Sequence, residues 1–138
     1  MHAEYGRRLG YSASDIAALE LTPSKRAYQN HMVASAACHS LLEGVAALTP
    51  CPWLYVDLGQ HFVHVLGGIP EQHPFRDWLK MYSDLQFVAF VEEPLSRLKR
   101  FAIAADSAAR ERAKHAFSTS VRYEWLFWQQ AWELRWPV

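Results

Sequence analysis

The helical character of this chain is clearest in the segment Thr49-Pro50-Cys51-Pro52-Trp53-Leu54-Tyr55-Val56-Asp57-Leu58-Gly59. Proline is tolerated in the first turn of a helix, and Thr49 is a suitable N-cap, so the segment predicts a helix that starts beside Cys51. Free amides and the helix dipole favour a thiolate there, and Tyr55 returns to the same helical face. The alternative is a buried, inert cysteine, which is a common state of free cysteines.

Signals for helix starts and ends recur along the rest of the chain. Ser12 or Ser14 is suited to cap a short helix, and Thr22 precedes a proline at the first helical position. No segment combines period-two alternation with hairpin turn dipeptides, so strands are not expected. The predicted helices cover residues 2–9, 15–19, 23 to at least 36, 40–47, 50–66, 75–81, 84 onward with a kink or break at Pro94, 107–117 and 119–136.

The composition predicts a compact all-α protein. Hydrophobic residues make up 51% of the 138 residues and charged ones 20%, which is typical of a globular domain with a core. The length indicates one domain over residues 1–138, and the helical pattern indicates a bundle. The six tryptophans fit either a wide helical interface or a pocket that stacks flat rings.

The charge and the cysteine content limit the expected partners and the expected cellular location. The 14 Lys and Arg residues equal the 14 Asp and Glu residues, so neither nucleic acid nor an anionic membrane is an expected partner. The apolar run around Val45 is interrupted by Glu43, Pro50 and Asp57, so no membrane span is predicted. Two cysteines are too few for a disulfide framework, which favours the reducing cytoplasm.

The motifs that would indicate a metal or a cofactor are absent from the sequence. His61 and His64 are three residues apart, but no His-Glu-x-x-His motif accompanies them. The pair Gly67-Gly68 precedes Ile69-Pro70 and lacks the spacing of a phosphate-binding loop. We therefore expect no metal and no cofactor.

A single acidic residue lies among aromatic residues near the C-terminus, in the segment Val121-Arg122-Tyr123-Glu124-Trp125-Leu126-Phe127-Trp128. Glu124, Phe127 and Trp128 share one helical face. If that face points inward, desolvation favours the neutral carboxylic acid, a form suited to proton transfer. The alternative is a surface glutamate paired with Arg122 or Arg135, and the helical period alone favours this second interpretation.

Four short motifs in order resemble those of the TenA family of thiaminase II enzymes, also called aminopyrimidine aminohydrolases. They are Ala27-Tyr28 with His31, Pro50-Cys51 with Tyr55, His73-Pro74 with Trp78 and Tyr82, and Tyr123-Glu124 with Phe127-Trp128. The resemblance implies a heme-oxygenase-like helical bundle. It also implies hydrolysis of thiamin or an aminomethylpyrimidine to hydroxymethylpyrimidine in thiamin salvage.

The resemblance also implies a role for particular side chains. Cys51 matches the family's nucleophile and Glu124 its general acid or base. The aromatic and hydroxyl groups around the pyrimidine are matched by Tyr28, Tyr55, Tyr82 and Phe127.

The resemblance covers only about the last two thirds of the family's usual length. Family members begin with helices that supply a further carboxylate to the pyrimidine, and nothing before Tyr28 matches that pattern. The chain is therefore expected to be a truncated member or one fragment of a split gene, and to form homo-oligomers that cover the exposed groove. The alternative to a hydrolase is an inactive member that binds a pyrimidine or a protein partner.

Overall fold

The computed structural model describes residues 2–133, and this part of the chain folds into eight helices. The prediction of an all-α protein is confirmed. The helices are α1 (His2–Arg8), α2 (Ala13–Ala17), α3 (Pro23–Cys38), α4 (Leu41–Leu48), α5 (Pro50–Val65), α6 (Arg76–Ser83), α7 (Leu85–Ala104) and α8 (Ser107–Glu133).

Side-chain caps start several of these helices where the sequence predicts them. Ser12 and Asp15 form a reciprocal capping box at α2. Thr22 accepts a hydrogen bond from the Lys25 amide at 3.3 Å, and Asp84 accepts one from the Gln86 amide at 2.8 Å. Each cap satisfies an amide that a helix start leaves without an intrahelical partner, so these residues fix where the chain turns into helix.

Small residues let the central helices approach closely. A cluster of buried residues on α4 and α8 forms the core: Leu42, Ala46, Ala47, Ala113 and Ala116. Partly buried residues of α7, among them Leu98 and Phe101, pack against it. At Gly44 a side-chain carbon would lie only 3.1 Å from the Cα atom of Ala36, so glycine permits the contact between α3 and α4.

The last helix is longer than predicted. The sequence predicts two helices that separate or kink near residues 118–120, but α8 runs without interruption from Ser107 to Glu133. Ser120 is fully buried and its hydroxyl donates to the Ala47 carbonyl at 2.7 Å, so a residue that disfavours a helix interior is satisfied by α4. The predicted end at Trp136 lies outside the described residues.

Two further helix predictions are decided by the structure. Of the kink or break predicted at Pro94, the break does not occur, because α7 continues on both sides of Pro94 and packs against α4, α5 and α6. Thr49 is not a side-chain N-cap, because its φ of −68° and ψ of −38° are helical and its hydroxyl donates to the Val45 carbonyl at 2.6 Å. As a result α4 passes into α5 through one residue, and Cys51 lies near a bend between two helices.

Candidate active site

The six predicted site residues come from four helices of the bundle. Tyr28 lies on α3, Cys51 and Tyr55 on α5, and Tyr82 on α6. Glu124 and Phe127 lie one turn apart on α8. Because α8 packs against α3 and α5, and α5 packs against α6, residues far apart in the sequence meet at one place.

Glu124 is the buried carboxylate of this site. Its side chain is on the inward face of α8, and the residue is only 4% exposed. No salt bridge joins it to any cation within residues 2–133. Its negative charge raises the pKa values of Tyr28, Cys51 and Tyr55, in addition to the larger effect of burial on each. A thiol and two phenols therefore surround one carboxylate.

The structure disfavours the thiolate predicted at Cys51. Burial, followed by the charge of Glu124, raises the pKa of the Cys51 thiol to about 12. The physical reason is that Thr49 continues the helix, so Cys51 is half-buried beside a carboxylate instead of lying at an open helix start. At neutral pH the thiol keeps its proton, and a nucleophilic role requires a base that removes this proton during the attack.

Tyr28 is a buried tyrosine of the site. The residue is 2% exposed, and its ring stacks on that of Tyr123 with centroids 5.4 Å apart. Burial is the first cause that raises the pKa of Tyr28 and Glu124 the second, while Ser120 acts in the opposite direction. The Tyr28 hydroxyl therefore lies near the Glu124 carboxylate, although no well-formed hydrogen bond joins it to a partner in the described part of the chain.

An aromatic cluster of Tyr55, Trp78, Tyr82 and Trp128 lies beside Cys51. The Tyr55 ring is 4.9 Å from that of Tyr82 and 5.9 Å from that of Trp128, and Trp78 is 4.9 Å from Tyr82. Burial and the nearby Cys51 raise the pKa of Tyr82, which places its hydroxyl near the sulfur. Faces of this kind suit a flat, electron-poor ring.

Gly59 makes the aromatic cluster possible. A side-chain carbon at this position would lie 2.8 Å from the carbonyl carbon and oxygen of Tyr82. The close approach of α5 and α6 therefore requires glycine at residue 59, and it brings Tyr82 against Tyr55.

Phe127 lies at the edge of the site together with a residue that the sequence interpretation missed. The Lys25 ammonium is 5.3 Å from the Phe127 ring centroid, and its charge partly offsets the raised pKa of Cys51. Trp128 and Tyr123, which pack on Tyr55 and Tyr28, were also missed as site residues. Two of these carried a signal, since Lys25 shares a helical face with Tyr28 and Trp128 shares one with Glu124.

Within residues 2–133, no three histidine, cysteine, aspartate or glutamate residues are grouped to hold a metal ion. The described helices also include none that is both long enough and apolar enough to cross a bilayer. What the site brings together is a thiol, a buried carboxylate, phenols and flat rings.

Comparison with known proteins identifies the class of this helical chain. Residues 1–134 match the TENA/THI-4/PQQC family, and the chain belongs to that family. It is 33% identical over 138 residues to a Halalkalibacterium halodurans protein named aminopyrimidine aminohydrolase, covering 98% of this chain and 60% of the relative. A Bacillus subtilis protein of the same name is 31% identical over 132 residues, covering 95% of this chain and 54% of the relative.

A solved structure supports the same fold. The TenA homologue from P. horikoshii superposes with a TM-score of 0.80 at 23% sequence identity, covering 96% of this chain and 60% of that one. The chain thus spans between about half and two thirds of the length of these relatives.

Proposed function

We propose that this protein hydrolyses an aminopyrimidine, thiamin or aminomethylpyrimidine, to hydroxymethylpyrimidine in thiamin salvage. The observation that carries the proposal is the buried Glu124 carboxylate, whose charge raises the pKa values of Cys51, Tyr28 and Tyr55. Two relatives that are at least 31% identical carry the name aminopyrimidine aminohydrolase, which supports the same class of reaction.

In the proposed first step, Cys51 attacks the electron-poor pyrimidine ring. Because the thiol is protonated at neutral pH, Glu124 takes its proton as the carbon–sulfur bond forms. A ring nitrogen accepts a proton from solvent as the ring takes up the electron pair. With aminomethylpyrimidine as substrate, the amine on the exocyclic methylene then leaves with its bonding electrons and takes the proton from Glu124.

Water completes the proposed reaction. It adds to the exocyclic methylene and gives a proton to Glu124. The carbon–sulfur bond then breaks, the electron pair and this proton return to Cys51, and the ring nitrogen releases its proton to solvent. The balance is replacement of an amine by a hydroxyl group, with the enzyme unchanged. The aromatic cluster would hold the ring flat, and the Tyr28 hydroxyl would bind one of its polar atoms.

The chain spans only part of the length of its relatives. A further 40% or more of their length has no counterpart in this chain. The assay therefore includes the N-terminal helices of a relative as a separate peptide, which we expect to raise the rate. Homo-oligomers and a cytoplasmic location stay predictions, the first supported by the exposed Trp125 and Trp132 on α8.

The experiment is to incubate the purified chain, at high concentration, with aminomethylpyrimidine and to measure hydroxymethylpyrimidine by chromatography. We expect slow product formation that Cys51→Ser abolishes. Cys38→Ser is the matched control, since Cys38 is exposed and is not part of the site. A complete lack of product, with and without the N-terminal helices of a relative as a peptide, would replace the hydrolase by a pyrimidine-binding or protein-binding module.

A further inference from the structure

The helix α6 carries two rings of the aromatic cluster and starts at an apolar residue. Trp78 lies in its first turn, and Tyr82 lies one turn further along the same face. Phe75 occupies the N-cap position with a φ of −105° and a ψ of 27°, and its side chain contains no polar atom that could accept a hydrogen bond. The first amides of α6 therefore need acceptors from other parts of the chain.

Tyr5 of α1 supplies one of these acceptors. The Trp78 amide donates a hydrogen bond to the Tyr5 hydroxyl at 3.1 Å, although 73 residues separate the two in the sequence. Trp78 is the third residue of α6, and an N-cap side chain commonly binds the amide at this position. A phenol from a distant helix thus takes the place of the N-cap side chain.

Two further contacts hold Tyr5 at the start of α6. The Tyr5 ring lies 6.4 Å from the Phe75 ring. The Arg8 guanidinium lies 5.5 Å from the Tyr5 ring centroid and forms a salt bridge with Asp77 at 3.2 Å. Because both partners of this salt bridge are about half exposed, it contributes little by itself. The Tyr5 hydroxyl is therefore the main link between α1 and the backbone of α6.

We propose that Tyr5 is a positioning residue of the candidate site, because it fixes Trp78 within the aromatic cluster that would bind the pyrimidine. The Trp78 ring is 4.9 Å from the Tyr82 ring and 6.1 Å from the Tyr55 ring. A displacement of the first turn of α6 would therefore move one wall of the site. The thiol and the carboxylate would stay in place, since they lie on α5 and α8. This inference deepens the proposed function and rests on it.

The first experiment follows the Trp78 ring directly. It records fluorine NMR spectra of the protein labelled with 5-fluorotryptophan, in which the Trp78 resonance is the one that Trp78→Phe removes. Tyr5→Phe retains the ring beside Phe75 and loses only the hydroxyl. The Trp78 resonance should shift or broaden in this variant, because the amide loses its acceptor and the first turn of α6 loosens.

The second experiment measures how the rate of hydroxymethylpyrimidine formation depends on the concentration of aminomethylpyrimidine. Tyr5→Phe should raise KM about three- to tenfold and leave kcat within about twofold of the parent. The reason is that a loosened ring wall weakens binding of the ring in the ground state and the transition state alike. A residue that only stabilised the fold would leave KM of the folded protein unchanged.

Tyr11→Phe is the matched control, since it removes the hydroxyl of an exposed tyrosine close to α1. It should leave both the Trp78 resonance and KM unchanged. Circular dichroism checks that the variants fold. If Tyr5→Phe does not fold, Tyr5→His replaces it, because its shorter side chain loses the same hydrogen bond.

An unchanged Trp78 resonance in Tyr5→Phe would overturn the inference, and so would an unchanged KM in a protein that forms product. The fluorine spectrum does not depend on turnover. A Trp78 resonance that shifts in Tyr5→Phe, together with no product from the parent or any variant, would therefore overturn the hydrolase and support Tyr5 as the residue that positions Trp78.

Discussion

Two buried glutamates of this protein have opposite surroundings. Glu43 on α4 is 6% exposed, accepts a hydrogen bond from Ser40 at 2.9 Å and forms a salt bridge with Arg112 at 3.2 Å. Glu124 on α8 is 4% exposed and has no cation paired with it within residues 2–133. Burial alone therefore does not indicate chemistry. The neighbours of each carboxylate indicate its role. Arg112 of α8 neutralises Glu43 and so links α8 to α4, whereas Glu124 faces a thiol and phenols.

The largest expected effect separates the two glutamates directly. Glu124→Gln should lower the rate of product formation about 10²- to 10⁴-fold, because a general acid or base contributes about that much. Its free energy of unfolding should hold or rise, since the variant buries no charge. Glu43→Gln is the matched change, and it should lose about 1–3 kcal/mol of stability while product formation continues.

Product assays and urea unfolding of both variants check this prediction. Equal destabilisation by Glu124→Gln and Glu43→Gln would contradict the proposed difference between the two glutamates, because Glu124 would then be a structural residue as well.

A smaller effect compares one glycine near each glutamate. Gly59 lies beside the aromatic cluster of the Glu124 site, and Gly44 is next to Glu43 on α4. Gly59→Ala should cost about 1–3 kcal/mol, because the new carbon meets backbone atoms of Tyr82 at 2.8 Å and the helices must separate. Gly44→Ala meets the Cα atom of Ala36 at 3.1 Å and gains helix propensity, so its cost should be below about 1 kcal/mol. Urea midpoints give the two costs. Near-ultraviolet circular dichroism should change only for Gly59→Ala, and an unchanged spectrum would mean that Tyr82 had not moved.

The last effect is a gradual dependence of stability on alkaline pH that belongs to the Glu124 region. The pKa of Cys51 is raised from 9.0 to about 12 and the pKa values of Tyr28 and Tyr55 are raised from 10.0, so the folded protein holds these protons more tightly than the unfolded chain. Their contribution to stability is complete below pH 9 and declines as the pH rises from 9 toward 12, by less than about 1.4 kcal/mol per pH unit for each group.

Unfolding free energies between pH 8 and 11 measure this decline. Cys51→Ala should flatten the curve between pH 9 and 10, whereas Cys38→Ala, at an exposed position, should leave it unchanged. An identical slope for both variants would show that the Cys51 proton contributes nothing to stability.

Local sequence signals predicted the helices well and their continuity poorly. Caps at Thr22 and Asp84 act within a few residues, so their effect can be deduced from the sequence. The continuity of α8 could not be deduced in this way, since Ser120 inside this helix is satisfied by a carbonyl 73 residues away. The same limit explains Cys51, whose neighbours in the chain indicate a thiolate while its neighbours in space keep it protonated.

The candidate site shows a similar division. The family motifs predicted Cys51, Glu124 and the tyrosines as site residues. The helical period predicted that Glu124 and Phe127 share one face. Lys25 could not be placed beside Phe127 without knowing how α3 packs on α8. The catalytic roles of these residues stay predictions until the variants above are assayed.

The hydrogen bond from Ser120 to Ala47 also sets the alignment of the reactive groups. Ser120 lies one turn before Glu124 on α8, and Ala47 lies one turn before Cys51 at the end of α4. A slip of α8 by one residue, about 1.5 Å along its axis, would break this bond and misplace the carboxylate at the same time. The same hydrogen bond therefore reports on both packing and function. A fold in which α8 is shifted along its axis would leave the buried Ser120 hydroxyl unpaired, so this arrangement is disfavoured during folding.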